Sequence, residues 1–331
     1  MTFKYSNVYI HDTALVTGPY EKNGPLQSFF DKSYPDLYFG TNTWEAAESK
    51  LIEESVDILL SKLGKTKSEI NLHISGDLLN QLVSSNYAAS RLEIPFLGVY
   101  NACATSVEGL IIGSNMIEAR QIKNCICSVS SHNNAAEKQF RYPVEYGGPK
   151  PKTTTFTTTG GASAYLSYDK KEIKIESATV GTVVDMGIKD AYHMGAVMAP
   201  AAAKTLHDHL KDTKREVDYY DLILTGDLGI YGKSIFKDFL KTEYNLNLKN
   251  YNDTATMIYD LEKQPVYAGG SGPACAPLVT YGYIFSEMKK KHLNRVLLIA
   301  TGALMSTTMV NEKFSIPSIA HAISLEVVEW H

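Results

Sequence analysis

The sequence has no long apolar run. Its longest stretches, such as 296–300, fall far short of the ~18 residues that a membrane-crossing helix needs. The opening MTFKYSNVYIHDTALVTG has no long apolar stretch after its first lysine, so neither a signal peptide nor a transmembrane helix is expected. Cysteine is scarce. Four in 331 residues cannot make a disulfide scaffold, and they point to a reducing compartment. An excess of positive charge is also missing. Thirty-two Lys and Arg stand against 36 Asp and Glu, a formal net charge of −4, and no nucleic-acid partner is expected. Collagen-like repeats and sustained heptads are absent as well. What is present is a composition of 44% hydrophobic and 21% charged residues, enough to bury a large core and too apolar for disorder as the main state.

The periodicities alternate between strand and helix. Ile52, Val56, Leu59, Leu60 and Leu63 form one stripe of a helix over 44–63, and Gly64 stands at its C-cap. A buried strand is read at 70–75, a helix at 79–92, a strand at 96–100, a nearly all-apolar helix at 104–120 and a strand at 124–131. The second half repeats these landmarks. Gly76-Asp77-Leu78 after one strand is matched by Gly226-Asp227-Leu228 after another, and 124–134 lines up with 294–304. Two βα-rich halves, 1–171 and 172–331, imply an internal duplication.

Cys103 lies at a strand-to-helix turn, Tyr100-Asn101-Ala102-Cys103-Ala104-Thr105-Ser106, and the run 159–166 is a strand rich in Gly and Ala. Both resemble condensing enzymes of the thiolase-like fold. The strings GDLLNQ (76–81), SSHNNAAEKQFRYPVEYGG (130–148), MGAVMAPAAAKT (194–205), YAGGSGPAC (267–275) and IPSIAHAISLE (316–326) resemble the stage V sporulation protein AD family of spore-forming bacteria over nearly the whole chain. That resemblance implies a duplicated α/β fold, layered αβαβα, with two mixed sheets around central helices. It implies binding of dipicolinate, alone or as its calcium chelate, and no cofactor. The implied partners are the membrane proteins of the stage V sporulation A operon, which load dipicolinate into the developing spore. The implied location is peripheral, on the spore inner membrane or in the forespore. By fold analogy alone the chain would form a homodimer.

At a helix N-terminus, Cys103 is expected to have a lowered thiol pKa, as an acyl-carrying cysteine does. A buried structural cysteine is the alternative. A condensing enzyme also needs imidazole or amide groups to stabilise the enolate oxygen. The resemblance puts these near Gly226-Asp227 and Gly270, where this chain has none. The reading is therefore a catalytically degenerate binding protein, with an acyl-transferring enzyme using Cys103 as the alternative.

Burying a dicarboxylate calls for cations or N–H donors. The segment 132–152 has no clear periodicity and reads as a long loop over a pocket. It carries His132, Arg141 and Lys150. Arg141 is the candidate carboxylate fork, with a salt bridge to Glu137 or Glu145 as the alternative. Lys150 and Lys152 read as solvated surface charges, yet Lys150 stays a candidate contact. His321 is expected in a loop flanking a strand, near Cys103. Asp77 and Asp227 read as helix caps, with Asp77 also able to meet a calcium ion. No metal site is otherwise expected. Cys125 and Cys127 read as packing, and His207 and His209 as solvated.

Overall fold

The computed structural model describes residues 1–140 and 150–329. The strands are β1 (Thr2–Lys4), β2 (Tyr9–Thr17), β3 (Lys32–Ser33), β4 (His73–Gly76), β5 (Phe96–Gly98), β6 (Asn124–Ser131), β7 (Phe156–Thr157), β8 (Gly160–Ser167), β9 (Ile173–Thr179), β10 (Leu222–Thr225), β11 (Tyr251–Asp253), β12 (Gly270–Ser271), β13 (Arg295–Ala303) and β14 (Ser318–Val327). The helices are α1 (Pro19–Lys22), α2 (Trp44–Leu63), α3 (Val83–Leu92), α4 (Thr105–Glu118), α5 (Asn133–Phe140), α6 (Met194–Thr213), α7 (Gly229–Tyr244), α8 (Cys275–Pro277), α9 (Phe285–Lys289) and α10 (Thr307–Asn311). A π-helical stretch, Leu278–Ile284, joins α8 to α9.

Helix α2 shows how directly the local sequence acts. Thr43 accepts the Ala46 N–H at 3.1 Å, and Gly64 takes the left-handed φ of 62° that closes the other end. Leu51, Ile52, Val56 and Leu59 are fully buried on its inner face. Each such side chain contributes about 1.5–3 kcal/mol of burial. The helix read at 79–92 starts later, at Val83. The left-handed backbone of Gln81 and Leu82 holds a short 3-10 turn apart from α3. The loop expected over 132–152 is helical in its first part, as α5. His132 precedes that helix, and its Nδ1 accepts the Ala135 N–H at 3.4 Å.

The main sheet runs β11-β10-β13-β14-β9-β2-β8-β6-β4-β5. Its order is a palindrome. Reading outward from the centre, β2, β8, β6, β4 and β5 correspond to β9, β14, β13, β10 and β11. Inner pairs β6–β8 and β13–β14 are antiparallel, and outer pairs β4–β5 and β10–β11 are parallel. At the centre the halves pair at Tyr9–Lys174 and Ile10–Ile173, and β1 adds an antiparallel pairing with β9 and β7 a parallel one with β12. Helices α2 and α3 pack with β2, β6 and β8 on one outer face, and α6 and α7 with β10, β13 and β14 on the other. Helix α4 and the α8–α9 rod lie between the two half-sheets, in the largest core cluster. This gives α-β-α-β-α layering, with the amino end of α4 at the centre of the molecule.

Candidate functional site

The turn into α4 is held from three sides. Thr105 Oγ1 accepts the Asn101 N–H at 2.9 Å and donates to the Ala102 carbonyl at 2.6 Å. Ala102 is left-handed, with φ of 50°, a strained backbone for alanine immediately before Cys103. A Cβ at Gly302 of β13 would stand 2.3 Å from the Asn101 carbonyl, so glycine is needed for strand and turn to approach this closely.

His321 fixes the same turn from β14. It lies within the strand, not in a flanking loop, and is buried. The Gly181 N–H donates to its Nδ1 at 3.2 Å. Asn101 Nδ2 lies 3.2 Å from its Nε2. Burial pushes the nearby Glu108 carboxyl up to about 7, and the Asn101 side chain pulls it partly back. Burial holds the His321 pKa down at about 4.

Cys103 opens onto a cleft of about 580 Å³, counted to its mouth. Leu78, Tyr100, Ala136, Phe140, Met194, Met198, Ala303 and Met305 supply apolar walls. Thr155, Thr157, Ser271, Gly272 and Glu137 supply the polar ones. The Gly272 N–H donates to Cys103 Sγ at 3.3 Å. The thiol is not activated as the helix terminus led one to expect. Burial pushes its pKa well up, and the Asp227 carboxyl beside it pushes the same way. The Gly272 N–H pulls only partly back.

Asp227 is the residue whose role the sequence misjudged. It does not cap α7. Asp253 does, accepting the Leu228 and Gly229 N–H groups at 3.1 and 3.0 Å. Asp227 is buried, in left-handed backbone with φ of 66°. Its carboxyl oxygens have no well-formed hydrogen bond, and its neighbours are the thiols of Cys275 and Cys103 and the Gly272 N–H. Burial, and the nearby Asp253, push its pKa far above the usual carboxylate range. A carboxylic acid thus faces the thiol. A signal was available in the duplicated Gly-Asp-Leu pattern, but the pattern alone does not distinguish its two aspartates. Asp77 does act as a cap. It accepts from the Leu79 and Ser85 N–H groups, both at 2.8 Å, and from Ser85 Oγ at 2.6 Å.

The remaining candidates divide. Lys150 is not simply solvated. Its Nζ is 2.8 Å from Oε2 of Glu137, a carboxylate buried in the cleft wall. His132 lines no part of the cleft. Its Nε2 donates to the Leu37 carbonyl at 2.8 Å, its ring meets Phe39 edge-on, and burial holds its pKa at about 4. Arg141 and Glu145 lie outside the described residues. His209 is buried rather than solvated, between Thr179 Oγ1 at 2.7 Å and Tyr220 OH at 2.6 Å. Cys125 and Cys127 are buried with sulfurs 3.9 Å apart. Among the described residues no group of three or more His, Cys, Asp or Glu side chains could hold a metal ion.

Comparison with known proteins is decisive at the family level. Residues 1–326 match the stage V sporulation protein AD family. The chain belongs to that family. It is 47% identical over 320 residues to stage V sporulation protein AD of Bacillus subtilis (strain 168), covering 96% of this chain and 94% of that one. Among solved structures, it is similar to cerulenin-bound OleA of Xanthomonas (TM-score 0.62, 14% identity, 98% of each chain). It is also similar to 3-oxoacyl-[acyl-carrier-protein] synthase III of Aquifex aeolicus (TM-score 0.54, 10% identity, 98% of this chain and 99% of that one). At these identities the likeness is one of fold, and the fold is thiolase-like.

Proposed function

We propose that this sporulation protein binds dipicolinate in the Cys103 cleft and takes part in its uptake into the developing spore without turning it over. The observation that carries this reading is the buried Asp227 carboxyl facing a Cys103 thiol whose pKa is raised. An acyl-transfer enzyme needs the opposite, a thiol poised to ionise and a base or amide beside it. In this chain the neighbours of Cys103 suit holding a ligand. The Gly272 N–H, the Ser271, Thr155 and Thr157 hydroxyls and Tyr100 can donate to carboxylate oxygens, and Phe140 and the methionines can flank a flat ring. Lys150 stands beside the wall, paired with Glu137, and Arg141 is the candidate fork.

Calcium, on this reading, arrives with the ligand as its chelate. The partners are the membrane proteins of the stage V sporulation A operon, and the protein sits peripherally at the spore inner membrane. No helix among the described residues is long and apolar enough to cross a membrane. A homodimer remains the proposal from fold analogy.

Calorimetric titration with dipicolinate, with and without calcium, tests the binding. Incubation with acyl-CoA followed by intact-mass measurement tests the absence of turnover. A stoichiometric acyl adduct that disappears in Cys103→Ser would overturn the non-catalytic reading.

A further inference from the structure

The polar wall of the cleft is a structure of its own. Strands β7 and β12 form a separate two-stranded parallel sheet, with Phe156 beside Gly270 and Thr157 beside Ser271. The Phe156 N–H donates to the Gly269 carbonyl at 2.8 Å, and the Thr158 N–H to the Ser271 carbonyl at 2.7 Å. Thr155, Thr157, Ser271 and Gly272 of this small sheet face the cleft, and the Gly272 N–H reaches Cys103 Sγ.

Behind the wall stands Ser131, the last residue of β6, fully buried. Its Oγ donates to the Thr158 carbonyl at 2.7 Å and accepts the Ala274 N–H at 3.4 Å. Thr158 is the residue that follows β7, and Ala274 lies three residues beyond β12. One hydroxyl, giving one proton and accepting another, thus ties the exits of both strands to the end of a third. Asn133 adds a bond to β7, from its Nδ2 to the Thr157 carbonyl at 3.2 Å.

Gly272 lies between these tied points. Its φ is 101°, in backbone that only glycine adopts readily, and glycine has no side chain to hold its own peptide in place. The direction of the Gly272 N–H is therefore set from outside the turn. A Cβ on Gly272 would stand 2.7 Å from Ser131 Oγ and 3.0 Å from Ser131 Cβ, so the turn rests directly on the serine.

We propose that Ser131 is a positioning residue of the cleft, tying the exits of β7 and β12 together and so aiming the Gly272 N–H at Cys103 and at a carboxylate bound beside it. A donor fixed in advance holds an anion without the cost of ordering the turn at the moment of binding. The affinity half of this inference rests on the dipicolinate reading; the thiol half does not. The competing role is a brace, in which Ser131 satisfies two buried backbone groups and the aim of Gly272 is indifferent to it.

The ligand-free test is the rate of Cys103 alkylation by iodoacetamide at pH 8.5, with Cys103→Ser as the blank. The Gly272 N–H favours the thiolate, and its loss raises the thiol pKa. Ser131→Ala should slow alkylation roughly three- to tenfold, the change expected for about half to one unit of thiol pKa. Ser131→Thr, which keeps the hydroxyl, should stay near the wild-type rate. Ser55→Ala is the control for a brace. It also removes a buried hydroxyl with two partners, Ser163 Oγ at 2.6 Å and the Ile52 carbonyl at 2.9 Å, and should leave the rate unchanged. A rate in Ser131→Ala equal to or above the wild type's, or an equal fall in Ser55→Ala, overturns the proposal. If Ser131→Ala fails to fold, Ser131→Thr against Ser131→Val, alike in shape and differing in the hydroxyl, decides.

The ligand test is calorimetric titration with dipicolinate. Ser131→Ala should bind about tenfold more weakly and Ser55→Ala as the wild type does. Wild-type affinity in Ser131→Ala overturns the affinity half. No binding by the wild type, with alkylation still slowed in Ser131→Ala, refutes the dipicolinate reading and supports the positioning of Gly272.

Discussion

Asp253 accepts the amide hydrogens of Leu228 and Gly229, and so leaves Asp227, the residue just before them, turned toward the thiol of Cys103. The helix is capped from a neighbouring strand, which frees an acid for the cleft floor. The two groups compete for ionisation in one buried space, and an anion on either opposes the other.

Asp227→Asn should therefore make Cys103 more reactive. The amide cannot ionise, so no carboxylate can form beside the thiol as the pH rises. The alkylation rate at pH 8.5 should rise roughly tenfold, the change expected for about one unit of thiol pKa. A rate equal to or below the wild type's would show that Asp227 does not hold the thiol neutral.

Buried histidines give a stability signature in acid. His132 and His321 titrate at about 4 in the folded protein against an ordinary 6.5, and burial is the first cause for each. The unfolded chain binds protons first as pH falls, so this stabilisation is complete above 6.5 and drains away toward 4. Each ring should cost about 2 kcal/mol between pH 7 and pH 5. Urea unfolding at the two pH values should show that loss shrink by a similar amount in His132→Gln and His321→Gln. Dipicolinate affinity in His132→Gln should stay near wild type, since its ring nitrogens serve Leu37 and Ala135. An affinity loss with an unchanged pH dependence of unfolding would put His132 at the ligand instead.

Gly270→Ala tests the packing that holds Cys275 and Thr158 together. The new Cβ would stand 2.8 Å from Ile258 Cγ2 and 3.0 Å from Cys275 Sγ, closer than carbon and sulfur tolerate. Overpacking of this kind costs about 1–3 kcal/mol. The midpoint of chemical denaturation should fall accordingly. Unchanged stability would mean that the rod of α8 and α9 gives way easily.

Much of this architecture was legible because local physics and tertiary packing agree. The stripe and glycine of α2, the apolar α4 and the repeated strand-turn-helix landmarks all matched the folded elements. The duplication read from Gly76-Asp77 and Gly226-Asp227 reappears as the palindromic strand order. The misreadings arose where a long-range partner decides. Helix propensity over 133–140 was hidden by the prolines and glycines that follow. Asp227 and Asp77 stand in the same local pattern, and only Asp253, from another strand, separates their roles. His209 lies on a helix with polar neighbours, but Thr179 and Tyr220 cover it.

Lys150 and Glu137 make the last prediction, because one ion pair in the cleft wall bears on both stability and affinity. Glu137 is buried and Lys150 is partly exposed, 2.8 Å apart. A carboxylate entering the cleft must share Lys150 with Glu137. Lys150→Gln should thus weaken dipicolinate binding by about tenfold, the lower range for losing a hydrogen bond to a charged group. Glu137→Gln should do the opposite, because it removes the competing anion and keeps the shape of the wall. Stability separates this from simple bracing. Lys150→Gln removes a cation from a buried carboxylate and should lower the melting temperature, whereas the double variant should recover most of that loss. If the pair is only a brace, Glu137→Gln lowers stability and leaves affinity unchanged. Moving one carboxylate around the pyridine ring adds a third reading. A fixed cation on one wall should favour dipicolinate over its isomers, and Lys150→Gln should narrow that preference. Equal affinity for all isomers, in wild type and variant alike, would remove Lys150 from the ligand's surroundings.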